Sequence, residues 1–391
     1  MNILAIETSC DETAVCLLEE SGGNFAVLGN ALLSQIDVHR EFGGVYPNLA
    51  KREHAKNLVP LFESVLRKAD LLFPSNNVRP DKDLVGELKK LLEREPELFS
   101  RLAIFLAGHN KPPIDLIAVT SGPGLEPALW VGINFAKALS RAWNIPLVAV
   151  NHMEGHMYSS VLTKRADDTT YEIPKIKFPT LSLLISGGHT ELVLARSWGA
   201  YEIMGETRDD AAGEAFDKVA RMLGLPYPGG PEISRLAREA RDEQLPAIEP
   251  LPRPMLDSNE SDFSFSGLKT AVLYELRKHE PLTDQYRKQV AQEFEDAVSD
   301  VLIEKTKRAL EETKAKTLII GGGVSANTTI QNRFKTLIKS EFPTMALYIP
   351  EPSLTTDNAV MIAIAGFFKS KSEALPSPEK ITAEGGLRLQ L

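Results

Sequence analysis

Cysteine is nearly absent: Cys10 and Cys16 are the only two in 391 residues, and both fall in one short stretch. A disulfide-stapled secreted scaffold is thereby excluded, and a reducing, cytoplasmic setting is expected. Long apolar runs are missing too. None approaches the ~20 residues of a membrane span, and the opening "MNILAIETSCDET" reaches acidic residues too early for a signal peptide. Nor is there an excess of positive charge. With 44 basic and 53 acidic residues the formal charge is -9, which argues against a generic polyanion binder. Nucleic acid would need a local basic patch or the help of a partner. What is present is the composition of an ordinary soluble protein, 43% apolar and 25% charged, in a chain long enough for two cores.

The chain opens on two β-rich runs around a polar turn, "NILAIETSCDETAVCLLEE", and the same design returns at "FPTLSLLISGGHTELVLAR". Each begins a segment in which strands alternate with helices, so a duplicated α/β lobe with a central cleft is expected. Two strand-to-helix turns are rich in glycine, in "IAVTSGPGLEPALW" and "LIIGGGVSANTT". Glycines there let backbone N–H groups approach a phosphate or base closely, although a tight turn alone would also ask for them. Residues 71–113 differ in character: leucines at helical spacing, then Pro96 and a second apolar stripe, predict a helical hairpin inserted between Pro-containing stretches.

Three places carry candidate chemistry. In "LVAVNHMEGH" a strand ends, Asn151 can cap a helix, and His152 and His156 fall four apart on one helical face. Such a pair can ligate one ion. Glu154 lies about 200° around the helix from His152, so it cannot be the base of a peptidase of the H-E-x-x-H kind. A third ligand is sought at "EPSLTTDNAVMIA", where Asp357 precedes a helix apolar enough to be buried; two His and one Asp with an open position suit zinc or ferrous iron. In "GETRDDAAGEAFDKVAR" the residues Asp210, Glu214, Asp217 and Arg221 share a stripe. That stripe is either a salt-bridged surface or, because Pro228-Gly229-Gly230 follows, a grip on ribose hydroxyls.

Taken in order, "ETSCDET", "GPGL", "HMEGH", "SGGHTEL", "GETRDDAAGEAFDKVAR", "PYPGGP", "FSFSGLKTA", "GGGVSAN" and "TDNAVMIA" closely resemble the bacterial TsaD family, the tRNA N6-adenosine threonylcarbamoyltransferases once labelled glycoproteases. The resemblance covers nearly the whole chain. It breaks at 71–113, where the family has a short connection, and at Thr356, where many members carry Cys. It implies an actin-like ATPase (ASKHA) fold with lobe one at 1–150, lobe two at 151–354, and C-terminal helices 355–391 returning to lobe one. It further implies that His152, His156 and Asp357 hold a divalent metal, iron(II) before zinc. Leu184, Ile185, Ser186, Gly187, Gly188, Asp217, Gly230 and Asn327 would hold threonylcarbamoyl-AMP, a place ATP or ADP could share, and Asp11 and Glu12 would face the cleft. The implied reaction is transfer of threonylcarbamoyl to N6 of adenosine 37 in tRNAs reading ANN codons. The implied partners are tRNA, a TsaB-like paralogue, a TsaE-like ATPase and a separate synthase that supplies the donor. The competing readings are a metallopeptidase, which lacks its base here, and a non-catalytic scaffold paralogue, which should lack the metal residues.

Overall fold

Asn2–Glu7 reads NILAIE, and its last five residues are all buried, as in a strand covered on both faces. This is β1 of a computed structural model that describes residues 1–75, 81–167, 169–372 and 374–389. It pairs antiparallel with β2 (Glu12–Ser21), which pairs with β3 (Asn24–Ser34) through a two-glycine turn whose positive φ angles at Gly22 and Gly23 suit a tight hairpin. There follow α1 (Ile36–Arg40), α2 (Pro47–Lys68), α3 (Lys82–Leu91), α4 (Pro96–Gly108), β4 (Leu116–Gly122), α5 (Glu126–Trp143), β5 (Leu147–Asn151), α6 (His152–Ser160), β6 (Thr163–Lys164) and β7 (Thr170–Glu172). The sheet order is β5-β4-β1-β2-β3-β7-β6, with β4 and β5 parallel to β1.

A second sheet repeats this plan. It is built from β8 (Thr180–Ile185), β9 (Thr190–Ser197), β10 (Ala200–Glu206), β11 (Thr317–Gly321) and β12 (Ala346–Tyr348) in the order β10-β9-β8-β11-β12. Its first three strands are antiparallel, and β11 and β12 run parallel to β8 and to each other. Strand for strand this is β3-β2-β1-β4-β5 again, so the duplication expected from the two hairpins is present in the topology. Its helices are α7 (Ala212–Met222), α8 (Gly229–Asp242), α9 (Ser266–Lys278), α10 (Asp284–Thr313) and α11 (Thr328–Glu341). The chain then returns to the first unit as α12 (Ala359–Ser372).

By contacts, the first compact unit comprises Met1–Val38, Val45–Pro174 and Asp357–Arg388, and the second is chiefly Lys175–Thr356 with His39–Gly44. The boundary expected at 150/151 therefore moves to 174/175. The physical reason is that β7 pairs with β3, Asn24 opposite Glu172, while α6 packs on β5 and α12. The return expected from 355 begins at Asp357 and supplies one α-helix with a short 3-10 turn at Pro378–Lys380. Residues 373, 390 and 391 of that segment lie outside the described residues.

The hairpin expected within 71–113 is α3 and α4, apart from 76–80, which lie outside the described residues. Asp81 caps α3 by accepting the N–H of Asp83, and Pro96 sits at the start of α4. Leu88, Leu92, Leu98, Leu102, Phe105 and Leu106 are buried in the same core as Phe62 of α2 and Phe135 of α5. The insert is thus continuous with the core of its unit. Among the described residues no helix is long and apolar enough to cross a membrane.

Candidate metal centre and nucleotide turns

Asn151 ends β5, and its side chain accepts the N–H groups of Met153 and Glu154, so it caps α6 as the sequence suggests. The cap starts the helix at His152, and the rings of His152 and His156 meet edge to face with centroids 4.7 Å apart. Gly155 lies between them for a steric reason. A Cβ there would come 3.1 Å from Met361 Cγ and 3.2 Å from Ile362 Cδ1, so its absence lets α6 lie close against α12. Asn358 accepts the N–H of Met361 in the first turn of α12, which leaves Asp357 just ahead of that helix.

The consequence is convergence. Asp357 Oδ1 stands 3.2 Å from His152 Nε2 and 3.2 Å from His156 Nε2. Among the described residues these three offer one ligand atom each, all within 4.8 Å of one another. All three belong to the first unit. The boundary at 150/151 had put the histidines and Asp357 in different lobes, and the packing of α6 on α12 corrects that.

His156 is fully buried, and among the described residues nothing meets Nδ1 and no well-aligned hydrogen bond meets Nε2, which faces Asp357 Oδ1 at 3.2 Å. A buried polar atom left so costs on the order of 1–3 kcal/mol. An ion shared with Asp357 and His152 would satisfy Nε2, and two imidazoles with one carboxylate are the donor set of zinc or ferrous iron. The residues fit the group that the resemblance implies.

The electrostatics agree. Burial would raise the Asp357 carboxyl, but the two histidines hold it far below the usual carboxylate range. Burial would lower His152, yet Asp357 and Glu7 together hold its imidazolium well above the ordinary histidine value. His156 goes down, because burial and the neighbouring His152 outweigh Asp357. Charge and burial thus push the two rings apart, His152 toward its protonated form and His156 toward its neutral one.

Glu7 and Ser9 are the residues that sequence reasoning missed. Glu7 Oε2 lies 3.2 Å from His152 Nδ1, and Ser9 Oγ lies 3.3 Å from the same nitrogen. The signal was present in NILAIE: a carboxylate follows the apolar run ILAI in a strand buried from Ile3 onward. Asp11 lies on the adjoining turn and Glu12 opens β2. Glu12 accepts the hydroxyl of Ser34, and burial together with Asp11 pushes its carboxyl up to about 10, so it is protonated at neutral pH. The "GPGL" turn packs here as well, since a Cβ at Gly124 would come 2.6 Å from Ser9 O.

The remaining candidates cluster in the second unit. Leu184 and Ile185 are buried at the end of β8, and the turn Ser186 to His189 closes on itself through Ser186 N–H to His189 O and His189 N–H to Ser186 Oγ. The start of α7 abuts this turn: Gly213 donates to Ser186 O at 3.2 Å, and a Cβ on Gly213 would come 2.6 Å from that oxygen. From the other glycine turn, Gly322, at φ +88°, comes equally near Ile185 O. A Cβ at Gly187, Gly188, Gly230 or Gly323 would meet nothing within 4 Å, so these backbones face open space.

The acidic stripe divides. Lys218 takes Asp210 and Glu214, while Arg221 donates to the carbonyl of Gly43. Asp217 instead accepts the N–H of Gly229 at 2.7 Å and so secures the turn before Gly230. Asn327 is also engaged: Oδ1 caps α11 at Ile330, and Nδ2 donates to Ser234 and to the buried Glu295. Both of its amide hydrogens are committed to tying α8, α10 and α11 together.

Comparison with known proteins identifies the family. The family profile for TsaD, "tRNA N6-adenosine threonylcarbamoyltransferase", matches residues 26–75 and 101–364, so its break falls on the inserted hairpin. A relative of that name from Thermosipho melanesiensis is 41% identical over 367 residues, covering 94% of each chain. Another from Ralstonia pickettii is 42% identical over 378 residues, covering 95% of this chain and 92% of its own. Among solved structures, full-length HypF in a phosphate- and nucleotide-bound form superposes with a TM-score of 0.50 at 11% identity, over 95% of this chain and 47% of that one. That likeness concerns the fold, which is of the actin-like ATPase class. On the profile and on relatives matched over nearly their whole length, the chain belongs to the TsaD family of tRNA N6-adenosine threonylcarbamoyltransferases, the enzymes of t6A formation.

Proposed function

We propose that this enzyme takes threonylcarbamoyl from threonylcarbamoyl-AMP and places it on N6 of adenosine 37 in tRNAs reading ANN codons, with a divalent ion held by His152, His156 and Asp357. The observation that carries the metal assignment is the single oxygen, Asp357 Oδ1, 3.2 Å from both imidazole Nε2 atoms. Iron(II) is the ion proposed and zinc the alternative; when bound, it supplies a Lewis acid that can orient and polarise a substrate oxygen.

The chain's own groups do the rest. The open backbone at Gly187 and Gly188 offers N–H donors to the adenylate phosphate, and charge building on departing AMP is stabilised there. Asp217 holds the turn at Gly229 and Gly230 for the nucleoside; a carboxylate can accept more than one hydrogen bond, so ribose contact is compatible with its bond to Gly229. Leu184 and Ile185 wall the turn, and Asn327 braces it by joining α8, α10 and α11. In the reaction the N6 lone pair forms a bond to the carbamoyl carbon, the bond from that carbon to the phosphate oxygen breaks, and AMP leaves with the electron pair. N6 gives one proton to solvent or to AMP. Asp11 and Glu12 are the candidate acid–base groups, Glu12 entering as the neutral acid.

A chain of charge -9 with no long basic run is a weak tRNA binder alone, so a TsaB-like paralogue and a TsaE-like ATPase are proposed as partners, with a separate synthase making the donor. The test is nucleoside mass spectrometry of unmodified tRNA incubated with the protein, threonylcarbamoyl-AMP and those partners. t6A that depends on the donor and on His152, His156 and Asp357 is expected. Full multiple-turnover activity of the isolated chain would sink the partner requirement, and full activity of Asp357→Ala would sink the metal assignment.

A further inference from the structure

Glu7 is fully buried at the end of β1 and is gripped from three sides. Oε1 accepts the backbone N–H of Ser9 at 2.6 Å, Oε2 accepts the hydroxyl of Thr120 at the end of β4, and the same Oε2 faces His152 Nδ1 at 3.2 Å. Packing does not explain a carboxylate there. A buried charge costs several kcal/mol unless paired and hydrogen-bonded, and a leucine would fill an apolar strand end at no such cost.

We propose that Glu7 is a positioning residue for the metal centre: it holds the proton of His152 on Nδ1 and fixes the ring so that Nε2 is presented beside Asp357. This rests on the reading of His152, His156 and Asp357 as the ligand set. The two histidines differ in this respect. Among the described residues His156 has no hydrogen-bond partner on Nδ1, whereas His152 has an anchored anion behind it. Charge gives the second argument. Glu7 and Asp357 place two carboxylates against the two imidazoles in a buried site, a donor set matched to a divalent cation. Partners of this kind behind a ligating imidazole raise its basicity and fix its tautomer. The chain adds a link of its own. Because Glu7 also takes the Ser9 N–H, the ring of His152 and the turn leading to Asp11 and Glu12 hang on one side chain.

The test is titration of the metal-free full chain with Co²⁺, read by its visible absorption, and with Zn²⁺ by competition, alongside thermal melting of the metal-free protein. Glu7→Gln keeps the shape but has one acceptor oxygen for three donors, the Ser9 N–H, the Thr120 hydroxyl and the His152 Nδ1–H. It is expected to weaken both ions about 10- to 100-fold and to shift the Co²⁺ bands, alongside the drop in metal-free melting that losing the pair with His152 brings. Thr120→Val, which removes one anchor of Oε2 and keeps the charge, is the second variant and covers the case in which Glu7→Gln does not fold. It is expected to weaken Co²⁺ several-fold with a smaller band shift. Wild-type affinity and spectrum in whichever variants fold would overturn the proposal, as would lower melting with unchanged affinity. If the wild type itself binds neither ion, the ligand assignment falls first, which separates that failure from a failure of Glu7.

Discussion

Phe62 of α2 and Phe105 of α4 meet edge to face, ring centroids 5.1 Å apart, and so join the inserted hairpin to the core of the first unit. Trp143 extends the cluster at 6.3 Å from Phe105. Phe105→Ala is expected to destabilise the protein by roughly 3–5 kcal/mol, the usual cost of emptying such a site. Denaturant unfolding followed by fluorescence would measure it. A loss below about 1 kcal/mol would mean that the hairpin is an appendage after all.

Removing any one ligand should empty the metal site. His152→Ala and Asp357→Ala are expected to lower bound metal to similar extents, since each leaves two donors of three. Glu154→Ala should keep metal and activity, because Glu154 is not among the converging groups. Elemental analysis with t6A assays decides. A metal-replete Asp357→Ala, or an inactive Glu154→Ala that retains metal, would contradict the arrangement.

Metal affinity should rise with pH across neutrality. His152 binds its proton well above the ordinary histidine value, so below that raised value an ion must displace the proton. The expected dependence is about tenfold per pH unit, with close to one proton released on binding. Calorimetry in buffers of differing ionisation enthalpy reads that proton directly. For the metal-free protein the raised value means that the His152 contribution to stability is complete below the unfolded value, about 6.5. It is lost as pH rises through the folded one. Asp357, whose carboxyl is depressed, contributes above about pH 3.9 and is lost as pH falls below it. Metal-free stability should therefore decline on the alkaline side, and affinity that stays flat between pH 6 and 8 would contradict this account.

Nucleotide binding should be separable from metal. Asp217→Ala removes the acceptor for Gly229 N–H and is expected to weaken threonylcarbamoyl-AMP by roughly 1.5–3 kcal/mol while metal content stays unchanged. Gly213→Ala would drive a methyl into Ser186 O and Gly187, displacing the phosphate-side turn with a similar loss. Calorimetry with the adenylate, or with AMP as a stand-in, measures both. Unchanged affinity in Asp217→Ala would return that residue to a purely structural role.

Much of this was readable beforehand because it rests on local chemistry. Asn151 as a cap, the His152–His156 face and Pro96 starting α4 depend only on neighbours in sequence, and the paired hairpins repeat a pattern that topology preserves. What was hidden depends on contacts between distant segments. Glu7 reaches His152 only because β1, β4 and β5 lie side by side in one sheet. The extent of the first unit depends on β7 pairing back to β3, and Asn327 turned out to be engaged because Glu295, fully buried on α10, claims its amide. No spacing rule in a linear chain announces such partners.

The late return of α12 has a consequence for synthesis. Ala359–Gly366 is wholly buried, and the helix covers β1, β2, β4 and β5, strands translated long before it. Until the ribosome has delivered that segment, the first sheet carries an uncovered apolar face, and the proposed ion site lacks Asp357. The first unit therefore cannot complete its core until nearly all of the second unit has been made. At the site proposed above, a metal could be held only by a chain completed past Asp357.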